Sequence, residues 1–217
     1  MNPVRIFVTG TDTGVGKTEV SRQLAIDAVR QNRAVFAYKP IETGCAVGAD
    51  GALIAADGER LADAAGSWQA GDDVTMFRFR LPAAPLVAGR AEQAIVDLTA
   101  IERQVRQHSD REVILVEGAG GWRVPITETE DMGSLAKRLG FPIVIVGRAG
   151  LGTINHTLLT IEAVERSACS LLAVVLSRLP TDDLDFAESN RSEISSRWRG
   201  RVLTWQLGEE LLSRLVR

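Results

Sequence analysis

The sequence predicts an α/β fold: a single-domain doubly wound, mostly parallel sheet flanked by helices, spanning residues 1–217. Three observations carry this. Short runs that are apolar on both faces recur along the chain, the pattern of parallel strands covered on each side. Stretches of helical spacing separate these runs, as in successive βαβ units. The composition, 45% hydrophobic and 24% charged over 217 residues, suits one compact core. No internal repeat, low-complexity tract or linker divides it.

Taken in order, Arg5–Thr9 (RIFVT) is the first strand. A helix starts within the glycine-rich stretch after it and places Val20, Leu24, Ala25 and Ala28 on one face. Ala34–Tyr38 (AVFAY) is the second strand. The segment 44–98 is less regular: Leu53–Ala65 has helical spacing, Met76–Arg80 (MFRFR) alternates like an edge strand, and Pro82 and Pro85 break the chain before a helix near Ala91–Gln93. Thr99–His108 has helical spacing at Ile101 and Val105. Val113–Val116 (VILV), Ile143–Val146 (IVIV) and Leu171–Leu176 (LLAVVL) are further strands. The final third carries little signal beyond a short amphipathic helix at Glu209–Val216.

Composition excludes several classes of partner. The net charge is −3 and no run of Lys or Arg occurs, which speaks against nucleic acid and anionic membrane. No apolar stretch approaches the ~20 residues of a membrane span. The two cysteines, Cys45 and Cys169, are in no metal-binding spacing, the usage of a reducing cytosol. Met1-Asn2-Pro3 leads into the first strand without a charged-then-apolar leader. The expectation is a cytoplasmic protein.

Between the first strand and its helix lies Gly10-Thr11-Asp12-Thr13-Gly14-Val15-Gly16-Lys17-Thr18. Glycines let successive N–H groups face one anion-sized concavity, and the helix N-terminus adds its dipole. Lys17 would reach the β- and γ-phosphates and Thr18 would offer a hydroxyl to Mg²⁺. This is a phosphate loop of the P-loop NTPase type, with five residues between Gly10 and Gly16 where four are usual.

Two further segments fall at the same edge of the predicted sheet, where such sheets bind ligands. Val113–Val116 delivers Glu117-Gly118-Ala119-Gly120-Gly121. An acid directly after an apolar strand is where nucleoside triphosphatases place the carboxylate that supports Mg²⁺. The second strand delivers Lys39-Pro40-Ile41-Glu42-Thr43-Gly44. A solvated lysine at a strand end is the competing reading of Lys39, and a surface carboxylate that of Glu117.

Together, GTDTGVGKT (10–18), YKPIETG (38–44), VEGAGG (116–121) and LGTINHTLLT (151–160) resemble the dethiobiotin synthetase family in order and spacing. That resemblance implies a ligase of biotin synthesis. One amine of 7,8-diaminononanoate (7,8-diaminopelargonate) takes up CO₂ as a carbamate, the carbamate attacks the γ-phosphate of ATP, and the second amine closes the ring of dethiobiotin. It implies Mg²⁺ as cofactor and a homodimer with the substrate site at the subunit interface. Lys39 and Lys17 become the catalytic cations. Gly14, Val15, Gly16, Lys17, Thr18, Glu19, Glu117, Gly118, Ala119 and Gly120 become nucleotide contacts. Thr13, Lys39 and Thr43 become substrate contacts, with Gly152, Thr153 and Asn155 reaching the diamine's carboxylate from the neighbouring subunit. Thr18 and Glu117 carry over as metal ligands, joined by Asp57 or alternatively Asp50; Asp57 also reads as the N-cap of the following helix. His156 is left as a packing or capping residue.

The chain departs from the family at the nucleobase. The position of an asparagine after Leu176 is occupied by Ser177, followed by Arg178, and the later base-binding stretch is Leu203-Thr204-Trp205. A serine hydroxyl reaches less far and with fewer groups than an amide, so weaker discrimination among bases is expected. A competing class is a nucleotide-driven switch of the partitioning or metal-insertion kind. Those proteins carry an extra lysine at the start of the loop, where this chain has Gly10-Thr11-Asp12. A non-catalytic nucleotide binder is disfavoured by the presence of Lys17, Thr18, Lys39 and Glu117 together.

Overall fold

The structure, a computed structural model, describes residues 2–216. Strand β1 (Val4–Gly10) runs through the glycine loop into α1 (Lys17–Arg30), and β2 (Val35–Tyr38) follows. An irregular excursion carries β3 (Ile41–Thr43), β4 (Ala46–Val47), β5 (Leu53–Ile54), α2 (Ala56–Ala64), β6 (Phe77–Phe79), α3 (Pro85–Glu92) and α4 (Leu98–Gln107). The second half alternates regularly through β7 (Val113–Gly121), α5 (Met132–Leu139), β8 (Ile143–Arg148), α6 (Thr153–Arg166) and β9 (Leu171–Arg178). It closes with α7 (Leu184–Arg197), β10 (Val202–Gln206) and α8 (Leu212–Val216).

Six strands form one sheet in the order β10-β9-β8-β1-β7-β2, and every pairing is parallel. The doubly wound sheet expected from the sequence is therefore present. β1 lies between β7 and β8, so the loop leaving its C-terminal end sits mid-sheet, where the strand order changes direction. Successive residues of β1 point to opposite faces. Phe7 joins Phe36, Ile114, Ile145 and Leu176 in one apolar layer, while Ile6 and Val8 join Leu115, Val144, Leu24 and Leu61 in the other. Each such side chain, fully buried, contributes about 1.5–3 kcal/mol. Those two layers hold the strand ends, and hence the site, in place.

Edge strand β2 is shielded rather than left open. The Gln69 side chain accepts from Ala37 N (3.1 Å) and donates to Ala37 O (2.8 Å), and Trp68 Nε1 donates to Val35 O (3.0 Å). At the other end of the chain, the buried carboxylate of Asp27 on α1 accepts the amides of Leu211 (2.7 Å) and Leu212 (3.1 Å), which fastens α8 to the phosphate-loop helix.

Several elements differ from the sequence expectation. β7 continues through Gly121 and β9 through Arg178, beyond the expected ends at Val116 and Leu176, so Glu117 lies within its strand rather than directly after it. Leu53–Ala65 is not one helix: Leu53 and Ile54 pair with β4, and the helix starts at Ala56. The alternating Met76–Arg80 run does not edge the main sheet; β6 pairs in parallel with β3 in a separate two-stranded sheet. Pro85 does not break the chain before a helix near Ala91–Gln93 but opens α3 at its first turn, where a missing N–H is harmless. The C-terminal helix is confined to Leu212–Val216. α5, α7 and β10 lie in stretches for which the sequence predicted no element. Among the described residues no helix is long and apolar enough to cross a membrane.

Candidate active site

Gly16, with φ of 98°, is the N-cap of α1 and turns the loop so that Lys17 and Thr18 open the helix. A Cβ at Gly10 would lie 2.8 Å from the Asp12 carbonyl and 3.0 Å from Lys17 Nζ, so the loop can fold back only over a glycine. Lys17 is buried and its ammonium donates to Asp12 O at 2.9 Å. Burial lowers its pKa against the pull of Glu117, and the charge of Lys39 beside it adds to the fall.

The loop forms one wall of a cavity of about 550 Å³, which brings Thr18, Lys39, Asp57 and Glu117 together. They come from α1, the β2–β3 junction, α2 and β7. Glu117 is fully buried; its Oε1 accepts the Thr18 hydroxyl at 2.8 Å and the Lys39 ammonium at 3.0 Å. The Lys39 ammonium also donates to Asp57 Oδ2. Burial alone would lower the Lys39 pKa; the charges of Glu117 and Asp57 reverse that and hold it above the usual lysine range. Burial likewise works against Asp57, but Lys39 outweighs it and holds the carboxyl below its usual range.

The donor set also fits a hard divalent cation. Oε2 of Glu117 is buried with no hydrogen-bond partner, and Asp57 and Thr18 supply further oxygens beside it. Among the described residues no group of three or more His, Cys, Asp or Glu side chains forms a cage. Such a sparse set suits Mg²⁺, which keeps waters and takes phosphate oxygens as its remaining ligands.

Thr13, Gly14, Gly16, Glu19, Thr43, Ala119 and Gly120 also line the cavity. Val15 is buried in the core below the loop, and Gly118 packs against Met132. Asp50 lies elsewhere, its Oδ1 accepting from Ala52 N at 3.0 Å in an exposed turn. Asp57 is not an N-cap: that position is Ala55, and Asp57 is the second residue of α2.

Ser177 and Arg178 end β9 and Thr204 lies midway along β10, all outside the cavity lining. Ser177 abuts the loop, its Oγ 2.6 Å from where a Cβ on Gly16 would be. The Thr204 hydroxyl donates to Glu188 on α7, and its carbonyl accepts from Arg214 at 3.1 Å. Gly152, Thr153 and Asn155 begin α6, also apart from the cavity. The Thr153 hydroxyl is buried 3.4 Å from that of Thr157, whereas Asn155 is exposed. Two charged residues to which the sequence assigns no role also line the cavity. Arg60 follows Asp57 by three positions and pairs with Glu19 and Asp57; that helical spacing was the available signal. Glu42 lies inside the KPIETG run, between the two residues that were singled out there.

Comparison with known proteins gives the following. A model of the AAA domain family matches residues 4–205. The chain is 40% identical over 191 residues to the ATP-dependent dethiobiotin synthetase BioD of Anaeromyxobacter dehalogenans (strain 2CP-C), covering 88% of this chain and 83% of that protein. It is 37% identical over 205 residues to the protein of the same name from Thermodesulfovibrio yellowstonii, covering 91% and 82%. Among solved structures, the MinC:MinD cell division protein complex of Aquifex aeolicus matches with a TM-score of 0.57 and 14% identity, over 97% of this chain and 84% of that one. A likeness at that identity concerns the fold alone.

Proposed function

The chain belongs to the ATP-dependent dethiobiotin synthetase family, and we propose that the cluster of Lys39, Glu117, Asp57 and Thr18 is where its reaction takes place. The activity is that of an ATP-dependent ligase of biotin synthesis. The observation that carries the placement is the Lys39 ammonium, buried between two carboxylates in the cavity beside the phosphate loop.

The chemistry brings three anionic groups together: a carbamate, a triphosphate and the transferring phosphoryl group. Catalysis of such a step is mostly positioning and fixed positive charge. One amine of 7,8-diaminononanoate adds to CO₂ and loses a proton, giving the carbamate. A carbamate oxygen displaces ADP from the γ-phosphorus; the second amine then attacks the carbamoyl carbon, expelling phosphate and losing its proton as the ring closes. Lys17 and the loop amides hold the triphosphate. Lys39, kept fully charged by its neighbours, faces the carbamate and the transferring group, with Thr13 and Thr43 on the diamine side of the cavity. Thr18, Asp57 and Glu117 would hold Mg²⁺, which supplies charge neutralisation of the phosphates when bound.

Two finer readings accompany this. The exposed Leu151 and Leu159 flank Asn155 at the start of α6, which supports a homodimer whose partner subunit completes the diamine site; sedimentation of the purified protein tests it. The free thiols Cys45 and Cys169 suit a reducing, cytoplasmic setting. The switch-ATPase alternative has only the shared fold in its favour, against relatives of 37–40% identity over most of the chain. Dethiobiotin formation from diaminononanoate, bicarbonate and Mg-nucleotide tests the assignment. Activity in the wild type and its loss in Lys39→Ala are expected; an inactive wild type with every nucleotide overturns it.

A further inference from the structure

We propose that Glu42 is a positioning residue, whose buried carboxylate holds the start of α2 and thereby sets the Asp57 carboxylate against Lys39. This rests on the reading of Lys39 and Asp57 as part of the reacting cluster.

α2 lacks a cap of its own. Its N-cap is Ala55, which has no side-chain acceptor, so its first-turn amides need a partner from elsewhere. Glu42, on β3, supplies it. Oε1 accepts the amide of Asp57 at 3.0 Å and Oε2 accepts that of Gly58 at 2.9 Å. The negative charge also lies at the positive end of the α2 dipole. Both oxygens are thus engaged by main chain, which leaves Glu42 poorly placed to serve as a base.

Local chemistry makes this an expensive way to cap a helix. Glu42 is 7% exposed, with Asp57 beside it and Glu117 across the cavity, all carboxylates. Burying one more charge among like charges is unfavourable, and a serine or aspartate at position 55 would cap α2 from within. What the distant cap adds is a rigid link. Glu42 lies between Lys39 and Thr43, so one short stretch of chain carries the lysine, the substrate-side threonine and the clamp on Asp57. On its other side α2 is packed just as closely, since a Cβ at Gly58 would meet Thr75 Oγ1 at 2.1 Å. The main chain of Asp57 is therefore fixed from both sides, and a shift of about 1 Å at a reacting centre costs roughly a hundredfold in rate.

The test is a double-mutant cycle between Glu42→Ala and Asp57→Ala, read with amide hydrogen exchange over residues 55–60. Expected are a kcat loss of about tenfold or more in Glu42→Ala, a diamine KM within about twofold of the wild type, and faster exchange at the start of α2. In the Asp57→Ala background, Glu42→Ala should cost little further. A full loss there, or a loss of rate with unchanged exchange, overturns the proposal and makes Glu42 a chemical participant. Faster exchange with unchanged rate also overturns it. If Glu42→Ala does not fold, Glu42→Ala/Ala55→Asp returns a local acceptor. Recovery of fold and rate upholds the proposal, and failure to recover both overturns it. A wild type that forms no dethiobiotin fells the underlying assignment instead, which the exchange data would distinguish.

Discussion

Lys39 and Glu117 are neighbours by register: Tyr38, the last residue of β2, pairs with Val116 of β7, and the next residue along each segment carries one half of a 3.0 Å ion pair. The carboxylate is fully buried. A parallel ladder therefore delivers a cation and its counter-ion to the same edge of the sheet. Removing the lysine strips a fully buried carboxylate of its ion-pair partner, whereas removing the glutamate leaves Lys39 still paired with Asp57.

For Lys39→Met this gives two separable losses. An unpaired buried carboxylate destabilises by about 3–5 kcal/mol, and loss of a fixed cation at the reacting centre lowers kcat by roughly 10²–10³. In Lys39→Met/Glu117→Gln the urea midpoint should recover most of its value while kcat does not. Denaturation and turnover measured on the same preparations check this.

The same cluster sets a pH window. Lys39 has a raised pKa in the folded state, so its stabilisation is complete below the unfolded lysine value of about 10.4 and is lost as pH rises through the higher folded value. Asp57 has a lowered one, so its stabilisation is complete above the unfolded value of about 3.9 and is lost as pH falls through the folded value. Between these limits the pair should contribute no slope. Denaturation midpoints of wild type and Lys39→Met across that range should differ by a constant near neutrality and converge at both extremes.

Ser177 touches the loop beside Gly16, and the Thr204 hydroxyl is taken by Glu188. Neither offers the paired donor and acceptor of an amide to a base edge. Steady-state rates with ATP, CTP and GTP should therefore be of similar size. A strong preference for ATP alone would refute this.

Asp27→Ala should destabilise without altering the chemistry. It strips the acceptor from the buried amides of Leu211 and Leu212 and from Gln23 Nε2. A lost buried partner costs about 1–3 kcal/mol per unsatisfied group, so a drop of several kcal/mol is expected in denaturation, with KM for nucleotide near that of the wild type.

What could be read from the sequence follows from where the physics is local. The phosphate loop is legible because glycines, lysine and threonine must be contiguous, and β1, β7, β8 and β9 because two-sided burial demands uninterrupted apolar runs. α7 is not, since only Ala187, Asn190 and Ile194 of its residues are buried, Leu184 and Phe186 are exposed, and the remainder is serine, acid and arginine. Leu53–Ala65 misled because two β residues precede the helix without a turn signal. Glu42 escaped because its partners are main-chain amides of residues 57 and 58, which no side-chain pattern announces. Thr204 fell in a base-binding stretch by likeness alone, and nothing nearby in sequence shows that Glu188 occupies its hydroxyl.

The strand order carries a consequence for synthesis on the ribosome. β1 finds its first neighbour only when β7 emerges, Val4 pairing with Val113, and β2 waits for the same strand, Val35 pairing with Val113 too. Until then the nascent chain holds two apolar strands with no strand partner, and only β2 has side chains, those of Gln69 and Trp68, along one edge. Such long-range parallel pairing is slow and exposes sticky surface. Translation pauses before β7, or depletion of a chaperone that shields early strands, should reduce the yield of soluble protein more than pauses placed after β8.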